Sequence, residues 1–167
     1  MVEKLNEPSQ YVDQERQIKK GRSYCGAACA AMITGEPPQD VAYEIGSTAD
    51  DMKIINYIER NGYETHKIVD GGSAQTRWAF APSDADFDRV RDAIDAGLVV
   101  LYHFAGWDKL STGHYALCAG YDTFGFTFFD PAGDRFKGYF NRHGKGAVYT
   151  IEQLRKAGIK RLFSVEV

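Results

Sequence analysis

The sequence predicts one α+β domain in which a helical first half packs against an antiparallel sheet formed by the second half. Segments typical of helices fill the first third of the 167 residues. Short β-branched and aromatic runs, separated by Gly, Asp and Pro, fill most of the chain after residue 97. Hydrophobic residues make up 44% of the chain, which is enough for one sizeable core.

Three helices are predicted in the first third. The first extends from about residue 25 to residue 34, is built on alanine, the best helix former, and ends at Gly35. The second, PPQDVAYEIG, has Pro at its start and Gly at its end. The third lies in STADDMKIINYIERNGYE, where Thr48 is the predicted cap and acidic residues occupy the first turn. The polar residues 1–22 are predicted to form an N-terminal arm, followed by a single domain over residues 23–167.

The rest of the chain is predicted to be mostly strand. A strand THKIV, a loop DGGSAQTRWAFAPSD and an amphipathic helix DADFDRVRDAIDAG come first. Five strands follow, with one short helix, TIEQLRKAG, before the last of them: LVVLYHF, HYALCAGY, GFTFFDP, FKGYF and KRLFSVEV. The order of helices first and strands later is the pattern of an α+β fold.

Charge and composition exclude several classes of protein. A formal net charge of -3 gives no broad basic surface, so nucleic acid is not expected as a partner. Three cysteines, an odd number, favour free thiols in a reducing compartment over a disulfide scaffold. No signal peptide or membrane span is predicted, because the longest apolar run is far shorter than the roughly 18 residues that a span requires. The chain is therefore expected to be soluble, either complete or as a domain of a longer protein.

Cys25 lies where the irregular stretch RSY meets the first predicted helix. The unpaired N–H groups and the dipole of a helix N-terminus stabilise a thiolate, which is the reactive form of cysteine. Gly26 would leave the approach to the sulfur open, and the backbone N–H of Cys25 could point at an oxyanion. A free cysteine is also commonly buried as a small apolar residue. That second interpretation is favoured for Cys29 and Cys118.

Among the four histidines, His114 is predicted to be the base. His103 ends an apolar strand, where a core or rim imidazole is expected. His114 begins a strand that turns near DTFG and returns as FTFFDP. Either Ala116 or Leu117 then lies opposite Asp130, and with Ala116 opposite, His114 and Asp130 share one face as diagonal neighbours. A carboxylate there would orient the imidazole, although FDPAG could also be an ordinary strand end with an Asp-Pro turn.

Taken in order, these motifs resemble those of the papain-like cysteine peptidases, and among them the double-glycine leader peptidases found on bacteriocin-exporting ABC transporters. The motifs are YCGAACAAMI, GHYALCAGYD and FTFFDPAG, with a helix ending in AGLVVLY between the first two. The similarity extends from about Gln17 to the C-terminus. It implies a helical half and an antiparallel sheet half with the active site in the cleft between them. It also implies a nucleophile, a base and an orienting carboxylate, which map onto Cys25, His114 and Asp130.

The resemblance further implies a glutamine that joins the backbone N–H of the nucleophile in the oxyanion hole. Gln17 is predicted for this position, although it lies a couple of residues further from the cysteine than is usual in the family; Gln14 and Gln10 are alternatives. A narrow cleft lined by aromatic side chains is implied for the recognition of Gly-Gly sequences. The residues predicted to line it are Gly26, Trp78, Phe104, Trp107 and Tyr115.

The resemblance implies hydrolysis of a protein or peptide after Gly-Gly, without a cofactor or metal. Detached domains of this kind also resemble bacterial toxin modules and effectors, which implies action in the cytoplasm of the producing cell or of a target cell, with an immunity or inhibitor protein as a partner. Deamidation or transglutamination by the same triad, and a binding module without catalysis, are alternatives. A zinc site of Cys25, Cys29 and His103 or His114 is disfavoured, because CGAAC lacks the tight turn of the usual ligand pair.

Overall fold

The computed structural model describes residues 4–20, 22–70, 81–105, 113–135 and 143–166. The helices and strands in these ranges follow one another in this order: β1 (Lys4–Leu5), α1 (Gln14–Gln17), α2 (Cys25–Thr34), α3 (Pro38–Ile45), α4 (Asp51–Arg60), β2 (Thr65–Asp70), α5 (Asp84–Asp95), β3 (Val99–Phe104), β4 (His114–Tyr121), β5 (Gly125–Phe129), β6 (Lys145–Thr150), α6 (Ile151–Ala157) and β7 (Ile159–Val165). No helix in these ranges has the length and hydropathy needed to cross a lipid bilayer.

The strands form one antiparallel sheet in the order β2-β7-β3-β4-β5-β6, and β1 pairs with β4. The central strand β3 is buried along its whole length, because both faces of the sheet are covered. Leu101 and Leu117 face a core shared with α2, α3 and α4, whereas Val100 and Cys118 face a core shared with α5 and α6. The α+β architecture predicted from the sequence is therefore confirmed.

Helix α2 begins at Cys25 and ends at Thr34, as predicted, and Gly35 follows in a left-handed conformation with φ of 75°. Every residue from Cys25 to Ile33 is buried. Alanine at most of these positions allows the helix to lie close to the sheet at a small cost in side-chain entropy. The close packing fixes the position of the residue that begins the helix.

The other predicted helices are also present, but one predicted cap is wrong. Helix α4 is capped by Asp50, whose side chain accepts a hydrogen bond from the N–H of Lys53 at 3.0 Å. Thr48 lies two residues earlier and has a φ of 55°, which is strained for a β-branched residue. Because the chain turns at Thr48, the residue at the cap position is Asp50, and aspartate is an efficient cap.

Two strands and a short helix were not anticipated. Strand β6 is an edge strand in which Lys and Gly come first and exposed residues alternate with buried ones, so its sequence is a weak strand signal. Strand β1 has two residues and α1 has four, and both lie in the segment predicted to be an arm. The predicted strand FKGYF lies outside the described residues.

Residues 4–20 pack closely against the rest of the domain. The side chain of Asn6 donates hydrogen bonds to the carbonyls of Ile94 and Leu98, each at 2.8 Å, where α5 ends. The hydroxyl of Tyr11 donates to the carbonyl of Asp130 at 2.6 Å. The segment thus connects the end of α5 to the end of β5 and brings α1 close to Asp130.

Candidate active site

Cys25 is the first residue of α2 and faces a cavity between the helical half and the sheet. Tyr24 provides the first carbonyl of the helix, which accepts from the N–H of Ala28 at 2.8 Å. The residue is 6% exposed and lines a cavity of about 250 Å³. The backbone N–H groups of the first turn have no carbonyl partner within the helix. They can therefore donate to a group that lies beside the sulfur. The hydroxyl of Ser23 lies 4.0 Å from the sulfur.

His114 and Asp130 meet across the hairpin of β4 and β5. Leu117 pairs with Phe129, so the next opposed positions are Ala116 and Asp130, which is one of the two registers that the sequence left open. Nε2 of His114 lies 2.8 Å from Oδ1 of Asp130. This contact leaves Nδ1 as the ring nitrogen available to the cysteine.

Asp130 is buried, and its carboxylate has three partners among the described residues. Besides the imidazole of His114, the hydroxyl of Tyr149 donates to Oδ2 at 2.7 Å, and the backbone N–H of Ala132 donates to Oδ1 at 3.0 Å. A buried carboxylate with this many partners is held in one orientation. The imidazole is consequently held in one orientation too.

The thiol of Cys25 and the imidazole of His114 stabilise each other's charged forms. Burial disfavours the imidazolium, but the charge of Asp130 and its hydrogen bond raise the pKa of His114 to about 10. Burial likewise disfavours the thiolate, yet the hydrogen bond and charge of His114, the N–H of Tyr115 and the hydroxyl of Ser23 lower the pKa of Cys25 below its ordinary value. The contact therefore shifts both groups toward the thiolate and the imidazolium.

The other two cysteines have the opposite environment. Burial raises the pKa of both Cys29 and Cys118 above the ordinary value of a thiol. Both are completely enclosed in the core. Of the three thiols, Cys25 alone combines a lowered pKa with contact to a cavity.

The two glutamines of α1 have different environments. Gln17 is exposed, and its Oε1 accepts a hydrogen bond from the N–H of Asp13 at 2.7 Å, within its own helix. Gln14 is 4% exposed, and its backbone N–H donates to the carbonyl of Pro131, the residue after Asp130, at 2.9 Å. Among the described residues Oε1 of Gln14 has no hydrogen-bond partner. The glutamine beside the hairpin is thus Gln14, which the sequence left as an alternative to Gln17.

The residues predicted to line the cleft differ in position. Tyr115 lines the cavity with Cys25. Gly26 is needed for packing against α4, because a Cβ there would lie 2.5 Å from Cδ1 of Ile54. Phe104 is a core residue whose ring stacks on that of His114 at a centroid distance of 6.0 Å. Trp78 and Trp107 lie outside the described residues.

A second group of polar, titratable side chains lines the same cavity and was not identified from the sequence. Asp51, His103 and Arg161 come from α4, β3 and β7 and all border the space beside Cys25. His103 is directly opposite Arg161 in the pairing of β3 with β7. The only local sequence feature that pointed to this group was a histidine followed by phenylalanine at the end of an apolar strand. That feature is equally typical of an imidazole buried in the core.

The residues of the alternative zinc site have other partners. His114 faces Asp130, and Nδ1 of His103 lies 2.8 Å from Oδ1 of Asp51. Within the ranges that the structure describes, no three His, Cys, Asp or Glu side chains are grouped so that they could hold a metal ion.

Comparisons with known proteins agree with this architecture. The model of the Peptidase_C39 like family matches residues 9–151. A crystal structure described as a C39-like peptidase from Bacillus anthracis superposes with a TM-score of 0.61 at 11% identity, covering 98% of this chain and 97% of that chain. A double glycine motif protease from an AMS/PCAT transporter, solved with its leader peptide, gives a TM-score of 0.56 at 12% identity, with 99% and 96% covered. No curated protein sequence matches the chain.

Proposed function

Because the chain belongs to the Peptidase_C39 like family and has the papain-like fold, we propose that it hydrolyses peptide bonds with a triad of Cys25, His114 and Asp130. The observation that carries the proposal is the buried contact between His114 and Asp130, beside a thiol whose pKa lies below its ordinary value. Cys25 is the nucleophile, His114 the acid and base, and Asp130 the group that orients the imidazole.

In the first half of the reaction the thiolate of Cys25 attacks the carbonyl carbon of the scissile bond. The carbonyl oxygen becomes an oxyanion, and the proton on Nδ1 of His114 passes to the leaving amine. The products are a thioester on Cys25, a free amine and a neutral imidazole. Asp130 keeps the ring oriented throughout, because its contact with Nε2 does not change.

In the second half a water molecule replaces the amine. Neutral His114 takes a proton from the water at Nδ1 as its oxygen attacks the thioester. The tetrahedral intermediate then expels the thiolate of Cys25 and releases the carboxylic acid. The imidazolium and thiolate that result are the charge states from which the cycle began.

We place Gln14, rather than Gln17, in the oxyanion hole. The buried side chain of Gln14 lies on the helix that touches Pro131, next to Asp130, whereas the amide oxygen of Gln17 is engaged at the start of α1. The amide side chain of glutamine carries two N–H donors at Nε2, which a ligand oxygen can accept. An oxyanion would accept the N–H of this amide together with the N–H of Cys25.

We further propose that the substrate is a protein or peptide cut after Gly-Gly. The cavity beside Cys25 is small, and a Cβ on Gly113, next to His114, would lie 2.8 Å from Nε2 of His103. Such a narrow approach leaves little space for side chains next to the scissile bond. The double glycine motif protease with the same fold was solved with a leader peptide, which supports a peptide as the ligand class.

Cleavage of a peptide that contains Gly-Gly by wild-type protein and by Cys25→Ala tests this proposal. We expect the wild type to cut after the second glycine and Cys25→Ala to be inactive with an unchanged thermal transition. Replacing each glycine by alanine in turn should reduce the rate, and mass spectrometry separates hydrolysis from deamidation of a glutamine in the same peptide. Cleavage by Cys25→Ala at the wild-type rate would refute the assignment.

The same pair of proteins tests the proposed role as a toxin or effector. Mass spectrometry of a bacterial lysate treated with wild-type protein should reveal new peptide termini after Gly-Gly that are missing after treatment with Cys25→Ala. If the chain acts as a toxin, the cut proteins should include ones that the cell needs to grow. New termini confined to leader peptides would instead favour maturation of exported peptides.

A further inference from the structure

The cavity beside Cys25 contains a buried ionic network that the proposed mechanism does not use. Asp51 begins α4 and is 7% exposed, and its carboxylate accepts hydrogen bonds from the hydroxyl of Tyr115 and from Nε of Arg161. His103 in β3 is also 7% exposed, and its Nδ1 lies 2.8 Å from Oδ1 of Asp51. All four residues line the cavity with Cys25. The network joins the helical half to the sheet at the cleft.

Asp51 is held in its charged form. Burial raises the pKa of this carboxyl, but contacts with His103, Tyr115 and Arg161 together lower it well below the ordinary value. Oδ1 is shared by the hydroxyl and the imidazole, and Oδ2 is taken by the guanidinium. The carboxylate therefore orients its neighbours and has little capacity left for a ligand.

The ring of His103 is fixed on two sides. It stacks on the ring of Tyr115 at a centroid distance of 4.1 Å and an interplanar angle of 23°. Its Nδ1 faces a carboxylate oxygen through a contact that is bent away from an ideal hydrogen-bond direction. A proton on Nδ1 is still favoured there, because a lone pair would be repelled by the negative oxygen of Asp51.

His103 is neutral around pH 7. Burial lowers the pKa of its imidazole, and the charges of Lys160 and Arg161 lower it further, against the opposing effect of Asp51. A neutral ring with its proton on Nδ1 has a lone pair on Nε2. Within the described residues Nε2 makes no hydrogen bond, and it lies 2.8 Å from the position that a Cβ on Gly113 would occupy. An unused acceptor thus borders the cavity next to the residue that precedes His114.

We propose that His103 determines specificity in the Cys25 cavity by accepting, at Nε2, a hydrogen bond from an amide N–H of the bound substrate. The proposal rests on the proposed function only in that the substrate reacts at Cys25. A carboxylate at this position would face a lone pair and the nearby Asp51 and would be rejected. Asp50 and Lys160 also line the cavity, and their opposite charges offset each other. The uncharged acceptor of His103 is therefore the feature of the cavity that would select an amide N–H.

The test uses small reagents that alkylate Cys25, because these need no knowledge of the natural substrate. Iodoacetyl-glycinamide has two amide nitrogens, and two analogues are made in which one nitrogen or the other has all its hydrogens replaced by methyl groups. Rates of alkylation at Cys25 are measured by mass spectrometry and divided by the rate with free cysteine. We expect one methylated analogue to react about tenfold more slowly than the parent with wild-type protein, which is the effect of one hydrogen bond.

The histidine variants identify the acceptor. His103→Phe should react with all three reagents at similar relative rates, while His103→Gln, which keeps an acceptor, should retain part of the discrimination. His66→Phe, a change at an exposed histidine on β2, should behave as wild type. Equal discrimination in wild type and His103→Phe, or no discrimination in wild type, would overturn the proposal.

Two measurements keep the proposal separate from the proposed function and from misfolding. If Cys25 reacts no faster than free cysteine with the parent reagent, the activated thiol is refuted, while the ratio between reagents still decides the role of His103. If His103→Phe is unfolded by circular dichroism, nitrogen-15 spectra of the wild-type ring decide. We expect Nδ1 to be protonated and the Nε2 resonance to move on alkylation by the parent reagent; a proton on Nε2 would overturn the proposal.

Discussion

Nε2 of His114 lies 2.8 Å from Oδ1 of Asp130, and this contact determines which ring nitrogen faces the thiol of Cys25. The carboxylate is the main reason that the pKa of His114 is raised to about 10 despite burial. The imidazolium in turn is the main reason that the pKa of Cys25 is lowered despite burial. A change at Asp130 should therefore be transmitted through the ring to the sulfur.

Asp130→Asn should make the thiol of Cys25 less acidic. Without the carboxylate, the pKa of His114 should fall by about 1–3 units, so the imidazolium that stabilises the thiolate is lost at lower pH. The rate of alkylation by iodoacetamide should then reach half its maximum at a higher pH than in wild type, where the midpoint lies below the ordinary pKa of a thiol. Asp88→Asn, a change at an exposed carboxylate on α5, is the control. Identical pH profiles for the three proteins would contradict the proposed coupling.

Gln14→Ala and Gln17→Ala form a matched pair on α1. Removal of one oxyanion donor typically reduces kcat by about 10²–10³, so Gln14→Ala should show a loss of this size on a Gly-Gly peptide. Gln17→Ala should stay within about twofold of wild type, because its side chain is exposed and bonded to Asp13. Alkylation of Cys25 forms no oxyanion and should be similar in both variants. A large loss of kcat in Gln17→Ala alone would show that Gln17, and not Gln14, contributes to the oxyanion hole.

Tyr149→Phe and Tyr102→Phe remove hydroxyls from one buried cluster with opposite consequences. The hydroxyl of Tyr149 donates to Asp130, so its loss should destabilise the protein by about 1–3 kcal/mol and slow the reaction. The hydroxyl of Tyr102 is buried with no hydrogen-bond partner among the described residues, so its removal should be neutral or stabilising by about 1 kcal/mol. Urea unfolding measures the change in stability of each variant, and peptide hydrolysis measures the change in its rate. Equal destabilisation of both variants would show that packing, not hydrogen bonding, determines the result.

The parts of the site that follow local rules could be predicted from the sequence. Helix α2 is rich in alanine, a strong helix former, and is followed by a glycine, so its extent from Cys25 to Thr34 was predictable. The β4–β5 hairpin has a clear turn and alternating residues, which narrowed the residue opposite Asp130 to Ala116 or Leu117. The register shift between Cys118 and Gly120, which brings Ala116 opposite Asp130, had no signal in the sequence. The hydrogen bonds that form the helix and those that form the hairpin both join residues that are close in the sequence.

The ionic network could not be predicted in this way. Asp51, His103 and Arg161 are separated by about fifty residues at each step, and they meet only because β7 pairs with β3 and the first residue of α4 lies beside that pair. Each residue alone has an ordinary interpretation, as a helix N-terminal acid, a core imidazole or a strand-end cation. Choosing between Gln14 and Gln17 depended in the same way on how residues 4–20 fold back onto the domain.

Asp51→Asn should destabilise the protein at neutral pH and less in acid. The folded protein lowers the pKa of Asp51 below its unfolded value of about 3.9, so the ionised carboxylate contributes stability above about pH 4 and loses it as the pH falls toward the folded pKa. Removing the charge weakens the contact of this side chain with Arg161, which is half-buried, and should cost about 1–3 kcal/mol. Urea unfolding at pH 7 and at pH 3 measures the difference between variant and wild type.

Asp50→Asn is the matched control for this prediction, because it makes the same chemical change at the neighbouring residue. Asp50 caps α4 through the N–H of Lys53, and asparagine caps helices about as well as aspartate. Its free energy of unfolding should therefore stay within about 0.5 kcal/mol of wild type at pH 7. If Asp51→Asn also stays within that range, or if its destabilisation is as large at pH 3 as at pH 7, the carboxylate of Asp51 does not stabilise the fold through its charge.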